Sequence, residues 1–204
     1  MKRMVWLIPL LLCLHVAHAQ EVPPKPDYTI TWHHGVVINA NQQIIRGEIL
    51  FNQKEEILLV RKDGATTAFP AQQILFVQYY DDNLQLNREF TTLPDSKNPR
   101  RTLFYEVILK GDIVLLRRES EAYEPSRTHQ GNEIITSFTP TLKHDYYVYD
   151  HQQVRFLTSF RRDVKPLVNH RWGDIEAFIE QQRLSVAEIE DQIDIIHFYN
   201  SISN

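Results

Sequence analysis

The fold is decided by residues 103–116, which read LFYEVILKGDIVLL. Apolar residues fill both alternating faces of this stretch, and the turn signal Lys110-Gly111-Asp112 interrupts it. The pattern predicts a hairpin of Leu103–Leu109 and Ile113–Arg117 at the centre of a sheet. Strands that are apolar on both faces are normally covered on both sides, so we expect a second layer to pack against this hairpin.

Further short strands are predicted around the hairpin, from about Tyr28 to Ser159. Runs of β-branched and aromatic residues alternate there with turn signals, as in antiparallel sheets. The turn candidates are Asn39-Ala40-Asn41, Asn52-Gln53-Lys54, Asp63-Gly64 and His151-Gln152. Of these, Asp-Gly has a defined mechanism, because both residues tolerate the positive φ angles of a tight hairpin. The pattern predicts an antiparallel β-sheet or a partly closed barrel.

The segment Glu119–Lys143 does not fit this pattern. It is polar and contains Pro125, Gly131 and Pro140. We expect a long loop here, with one short strand at Ile134–Phe138. A loop of this length in a compact domain is usually functional or disordered.

After Ser159 the apolar period changes from two residues to about 3.6, which predicts three short C-terminal α-helices. The first is expected to start at Asp163 as N-cap and the second at Asp174. The third is expected to follow Ser185, because Ser185-Val186-Ala187-Glu188 matches a capping box. Its apolar stripe would cover the second face of the central hairpin and comprises Val186, Ile189, Ile193, Ile196 and Tyr199.

The first nineteen residues have the three parts of a secretory signal peptide. Lys2 and Arg3 are basic, an apolar run follows from Met4 to Val16, and Ala17-His18-Ala19 fits a cleavage site. The apolar run is shorter than the ~20 residues of a membrane span, and a retained anchor is the alternative. The expected organisation is a signal peptide (1–19), an extended proline-containing leader (20–27) and a single α+β domain (28–204), which is β-rich over 28–159 and helical over 160–204.

Composition limits the class of partner. Cleavage would remove Lys2, Arg3 and the only cysteine, Cys13, and would change the formal net charge from −4 to −6. Without Cys13, the mature chain would fold without disulfides. Without the apolar run Met4–Val16, it is also expected to have no transmembrane segment. A mildly acidic chain lacks the concentrated basic face that binds phosphates, so nucleic acid is not expected as a partner.

Motifs for chemistry are absent from the sequence. The histidines lack the spacing of metal ligands, there is no nucleophile elbow, and only six glycines are present, none in a phosphate-binding loop. We therefore nominate no catalytic, cofactor-binding or metal-binding residue and expect no cofactor. Tyr147 and Tyr149 share one face of a predicted strand next to the Glu119–Lys143 segment, and they are the candidate recognition surface.

Several segments resemble a group of small exported bacterial proteins of unknown function. They are the signal peptide, Gly47–Phe51, Asp63-Gly64, Phe104–Gly111 and Ile195–Asn200. The resemblance implies a sheet-rich body, a helical C-terminus and a location in the envelope of a double-membraned bacterium. It implies no catalytic residue.

The sequence favours an exported, non-enzymatic binding or structural module of the cell envelope, in the periplasm or outside the cell. The expected partner is an envelope protein or a glycan. The alternative is a hydrolase-like enzyme whose site assembles from separate loops. A deep pocket lined by convergent polar groups would favour the enzyme, and an exposed aromatic surface would favour binding.

Overall fold

The computed structural model describes residues 31–130 and 133–203. The predicted signal peptide and leader lie outside these residues. Ten antiparallel strands form one sheet, in the order β10-β9-β8-β7-β6-β5-β1-β2-β3-β4. The strands are β1 His33–Asn39, β2 Ile44–Asn52, β3 Ile57–Lys62, β4 Ala65–Pro70, β5 Ile74–Asp81, β6 Leu86–Pro94, β7 Thr102–Leu109, β8 Val114–Gln130, β9 Glu133–Tyr149 and β10 Val154–Phe156.

The α+β class predicted from the sequence is confirmed, and the sheet is open. β4 and β10 form its two ends, and in the described residues they do not pair with each other. The predicted turns fall between strands as expected. Asp63 and Gly64 connect β3 to β4 with φ angles of 51° and 80°, which suit a tight hairpin turn.

The first half of the sheet curls over its middle. Phe51 on β2 contacts Phe90 on β6 and Phe104 on β7, with ring centroids 4.6 and 4.9 Å apart. These rings belong to a buried cluster to which β1, β3 and β5 also contribute. The concave face of β1–β7 is thereby filled by side chains of the sheet itself.

The central hairpin is covered on both faces, as its composition predicts. One face carries Leu103, Tyr105 and Leu116, which pack with Tyr147 and Val154. The other face belongs to a cluster that joins the hairpin and β9 to the C-terminal segment: Ile113, Leu115, Val148, Phe160, Val164, Val168, Ile175, Ile195, Ile196 and Tyr199. The helices are therefore the second layer that the hairpin requires.

The helices begin and end at other residues than predicted. They are α1 Phe160–Asp163, α2 Trp172–Gln182 and α3 Ile189–Ile202, with a 3₁₀ turn at Asn169–Arg171 before α2 and another at Ala71–Gln73 between β4 and β5. None of the described helices is long and apolar enough to cross a membrane.

The three predicted helix starts were wrong. Asp163 ends α1, and its carboxylate accepts the N–H groups of Thr158 and Ser159 at 2.8 Å each. Asp174 lies within the first turn of α2, where its charge suits the helix dipole. Ser185 lies four residues before α3 begins and its hydroxyl accepts a bond from Ala187 N–H, so it caps a turn instead of the helix.

α3 covers the hairpin with a face slightly rotated from the predicted one. Ile195, Ile196 and Tyr199 are buried, whereas the predicted Ile189 and Ile193 are only half-buried. At its last turn, the Asn200 side chain accepts a bond from Ile113 N–H at 3.0 Å and donates to Ile113 O at 2.8 Å. A buried amide that completes both backbone groups of Ile113 fixes the helix relative to the hairpin.

Close backbone approach in β1 gives a first testable prediction. A Cβ atom at Gly35 would collide with the Gln78 carbonyl oxygen and lie 2.8 Å from the Tyr79 Cβ, both in β5. We expect Gly35→Ala to lower the free energy of unfolding by about 1–3 kcal/mol, because overpacking against backbone cannot relax cheaply. Gly173→Ala is the control, since nothing lies within 4 Å of its added Cβ. Chemical denaturation that finds the two variants equally stable would contradict this account.

Candidate functional site

A two-stranded ribbon extends from the sheet. β7 pairs with β8 only as far as Arg117, and β10 pairs with β9 only from Tyr147 to Tyr149. Beyond these rungs β8 and β9 continue to pair with each other, to the rung Gln130↔Glu133. The predicted Glu119–Lys143 loop was therefore wrong: most of this segment is regular strand, and the predicted strand Ile134–Phe138 is one part of it.

Alternation along the ribbon sorts its side chains by polarity. Successive residues of a strand point to opposite faces, and directly paired residues share a face. One face, which we name the apolar ribbon face, carries the apolar residues Tyr123, Pro125, Ile134, Phe138, Pro140 and Leu142, together with the polar Glu121, Arg127 and Thr136. The opposite face carries mainly hydroxyl residues and Glu124 (Ser126, Thr128, Ser137, Thr139 and Thr141), with Ala122 and Ile135 as its apolar members.

The apolar ribbon face is open to solvent. The exposed fractions are 61% for Tyr123, 61% for Ile134, 62% for Phe138 and 56% for Leu142. Single exposed apolar residues are normal, but Leu142, Tyr123 and Phe138 lie on three successive rungs of one face, and a contiguous set of this kind marks an interaction surface. The ribbon face is therefore the candidate functional site.

The candidate pair Tyr147 and Tyr149 lies at the root of the ribbon. Tyr147 is buried between Tyr105 and Phe156, whose ring centroids are 5.1 and 5.2 Å away, and this burial raises the pKa of its hydroxyl. Tyr149 is half-buried with its ring 5.4 Å from that of His151. Both tyrosines point to the opposite face of β9 from Phe138, so they are not part of the apolar ribbon face.

Charged groups fix the strands from which the ribbon departs. Glu106 on β7 is 5% exposed and accepts bonds from Arg88 Nε and Nη2 at 2.8 and 3.0 Å. Arg117 on β8 donates to the same carboxylate at 2.9 and 2.7 Å. Burial alone would raise the pKa of Glu106, but the hydrogen bonds and charges of the two arginines outweigh it and hold the pKa below its usual value.

A second group of side chains replaces strand pairing where β8 leaves β7. The Phe104 N–H on β7 donates to Glu56 Oε2 at 2.8 Å, and Gln53 Nε2 donates to the Phe104 carbonyl at 3.4 Å. Arg118 bonds both this carbonyl and the Glu56 carboxylate. Buried backbone groups need partners, so these side chains let the ribbon diverge without leaving β7 unsatisfied.

A cavity of about 550 Å³ lies beside this point, between the β2–β3 turn and the 98–102 segment. Its charged lining consists of Glu55, Glu56, Arg100 and Arg101. The Glu56 carboxylate is already bound by Arg118 and Phe104 N–H, and both arginines are exposed. The lining therefore contains no free buried acid or base for catalysis. Within the described ranges, no three histidine, cysteine or carboxylate side chains are grouped to hold a metal.

Comparisons with known proteins give no match: no family model fits the sequence, and no curated protein or solved structure is significantly similar to it. What the protein does must be inferred from its own residues. The strongest feature in the described part of the chain is the apolar ribbon face, with its fixed base.

Proposed function

We propose that this protein is a non-enzymatic binding or structural module of the cell envelope that acts through the apolar ribbon face. The observation that carries this proposal is the exposure of Tyr123, Ile134, Phe138 and Leu142 on one side of a regular hairpin. A monomeric protein gains nothing in folding from side chains that stay in water, so their clustering is accounted for by binding.

The location is proposed from residues 1–19, whose basic start, apolar run and Ala17-His18-Ala19 site fit a secretory signal. The mature protein would then work in the periplasm or outside the cell. The resemblance to small exported bacterial proteins supports the same location. In an envelope, the ribbon face could meet a protein or a glycan, since Tyr and Phe rings serve both.

The cavity gives the alternative, a hydrolase-like enzyme, little support. A hydrolytic site needs a nucleophile or a pair of acid and base groups that converge on one point. The buried carboxylates Glu56 and Glu106 are each neutralised by arginine at short distance, which suits a structural role. Arg100 and Arg101 could attract an anion but provide no proton transfer at neutral pH.

The proposal can be tested by cross-linking in the cell that produces the protein. A photo-reactive phenylalanine analogue is placed at Phe138, on the apolar ribbon face, or at the exposed neighbour Thr139, on the polar face. We expect illumination to give a discrete higher-mass adduct from position 138 and none from position 139. The readout is a gel of the whole envelope fraction probed for this protein.

Two outcomes would contradict the proposal. Absence of an adduct at position 138 in intact cells would show that the face meets no macromolecule. Equal amounts of adduct from positions 138 and 139 would show that other molecules contact both faces of the ribbon at random. Since the Phe138 side chain is 62% exposed, the analogue should leave the melting temperature unchanged, which verifies that folding is intact.

A further inference from the structure

We propose that the partner of the apolar ribbon face is a second copy of this chain, packed face to face with its ribbon antiparallel to the first. This inference rests on the proposed function, because it names the occupant of the same surface. Three features support it: the two-fold match of the apolar residues, the two-fold match of the charges, and the position of the folded body.

Four of the six apolar residues match one another about a two-fold axis, whereas the same axis places Leu142 over Thr136 of the other copy. The rungs Tyr123↔Pro140 and Pro125↔Phe138 are two residues apart at the middle of the ribbon. A two-fold axis between these rungs, across the strands, places Tyr123 of one copy over Pro125 of the other. The same axis places Phe138 over Pro140. Each aromatic ring therefore meets a proline ring, and both meetings occur twice in the dimer.

The charges match about the same axis. On the apolar ribbon face, Glu121 lies two residues before Tyr123, toward the sheet. Arg127 lies two residues after Pro125, toward the free end of the ribbon. The axis therefore sets Glu121 of each copy against Arg127 of the other. Among the described residues Arg127 is exposed and has no ion-pair partner, while Glu121 has only the exposed Lys54 at 2.8 Å. Complementary charges at the rim of an interface select one orientation.

The alternative parallel arrangement fits less well. It would place Glu121 against Leu142 of the other copy, because these residues form one rung. It would also bring the two folded bodies to the same end of the paired ribbons. In the antiparallel arrangement, the two folded bodies lie at opposite ends of the paired ribbons. The free end of each ribbon then points toward the folded body of the other copy.

Addition of a strand to the ribbon's edges is disfavoured. Pro125 on β8 and Pro140 on β9 each remove an amide donor from the ribbon. Proline on an edge strand blocks the extension of a sheet by a further strand. The ribbon therefore presents its face, and not its edges, to a second molecule.

The size of the face predicts a weak dimer. The two-fold axis overlays residues 121–127 of the two copies, a length of seven residues or about 23 Å at about 3.3 Å per residue. With a width of about 10 Å, two copies would bury about 460 Å² in total, which is well below the about 1,200 Å² of stable complexes and fits only a weak, transient contact. We expect the dimer to form between about 10 µM and 1 mM protein and to dissociate on dilution.

Charge reversal tests the arrangement by sedimentation equilibrium of the purified protein. Glu121→Arg and Arg127→Glu each place like charges together twice per dimer, and each should raise the dissociation constant about tenfold. The double variant restores opposite charges and should return the constant to within about twofold of wild type. Glu124→Arg, on the polar face of the ribbon, is the matched control and should change nothing.

The outcomes separate this inference from the proposed function. A monomer at every concentration, or a double variant no better than the single ones, would overturn the antiparallel dimer. In cells, the adduct from position 138 should have twice the mass of the chain. An adduct with a different molecule would overturn the dimer and leave the proposed function standing, whereas no adduct would overturn both.

Discussion

Replacing Glu106 with glutamine is expected to lower the free energy of unfolding by about 3–5 kcal/mol. The substitution keeps the shape of the side chain but removes the charge that balances Arg88, whose side chain is 12% exposed, and Arg117. Removing one partner of a buried ion pair leaves the other charge desolvated, which costs more than the pair contributed. Urea denaturation at pH 7 measures the change.

Glu119→Gln is the matched control for this prediction. Glu119 lies 3.6 Å from Arg88 but is 37% exposed, so we expect a loss of at most about 1 kcal/mol. Similar losses for the two variants would mean that Glu106 is not the centre of the charge cluster.

The same carboxylate predicts the response to acid. Its pKa is lowered in the folded protein, so its contribution is fully present above the unfolded pKa of about 4.3. That contribution is lost as the pH falls through the folded pKa. The difference in stability between wild type and Glu106→Gln should therefore be constant from about pH 5 to pH 7 and shrink at lower pH.

A chain that ends at Leu184 is expected to be insoluble or to unfold without cooperativity. It lacks α3, and with it the buried Ile195, Ile196 and Tyr199 that cover Leu115. Replacing one buried isoleucine with alanine costs about 2–5 kcal/mol, so losing three large side chains approaches a total stability of about 5–15 kcal/mol. Thermal denaturation followed by circular dichroism gives the result.

Single substitutions keep this second prediction informative if the shortened chain aggregates. Ile195→Ala should cost about 2–5 kcal/mol, whereas His197→Ala, on the exposed side of α3, should cost less than about 0.5 kcal/mol. A shortened chain that stays soluble and melts sharply near the wild-type temperature would show that α3 is not part of the main core.

The central hairpin could be predicted because its sequence meets a strict requirement. Apart from Glu106 and the turn Lys110-Gly111-Asp112, residues 103–116 are apolar, which favours a strand pair covered on both faces. Turns such as Asp63-Gly64 were equally predictable, because few residues tolerate positive φ. That helices form the covering layer was also predictable, because the apolar period changes to about 3.6 residues after Ser159.

The helix starts were not predictable from local signals alone. Asp163 and Ser185 both have side chains that cap helices, and both instead satisfy N–H groups of neighbouring turns. The same short hydrogen bonds serve turns and helix starts, so local sequence cannot distinguish them. Packing against the hairpin decides which residues enter the helix.

The ribbon differs from the predicted loop because Pro125 and Pro140, in a polar segment, are typical of a loop. Proline is excluded from the interior of a sheet but is tolerated where a strand has a free edge, and both strands of the ribbon have one. One signal was present: in residues 137–142, Phe138, Pro140 and Leu142 alternate with Ser137, Thr139 and Thr141. This alternation is typical of a strand, and it places Phe138, Pro140 and Leu142 on one face of β9.

The bonds between Asn200 and Ile113 also determine when folding can finish. The two residues are 87 positions apart, so the last turn of α3 reaches back to a hairpin synthesised much earlier. Until residue 200 is available, the hairpin face has only the part of its cover that Phe160, Val164 and Ile175 supply, and it lacks the part from α3. Late completion of the core is compatible with the export that we propose, because a chain that crosses a membrane unfolded must not close its core beforehand.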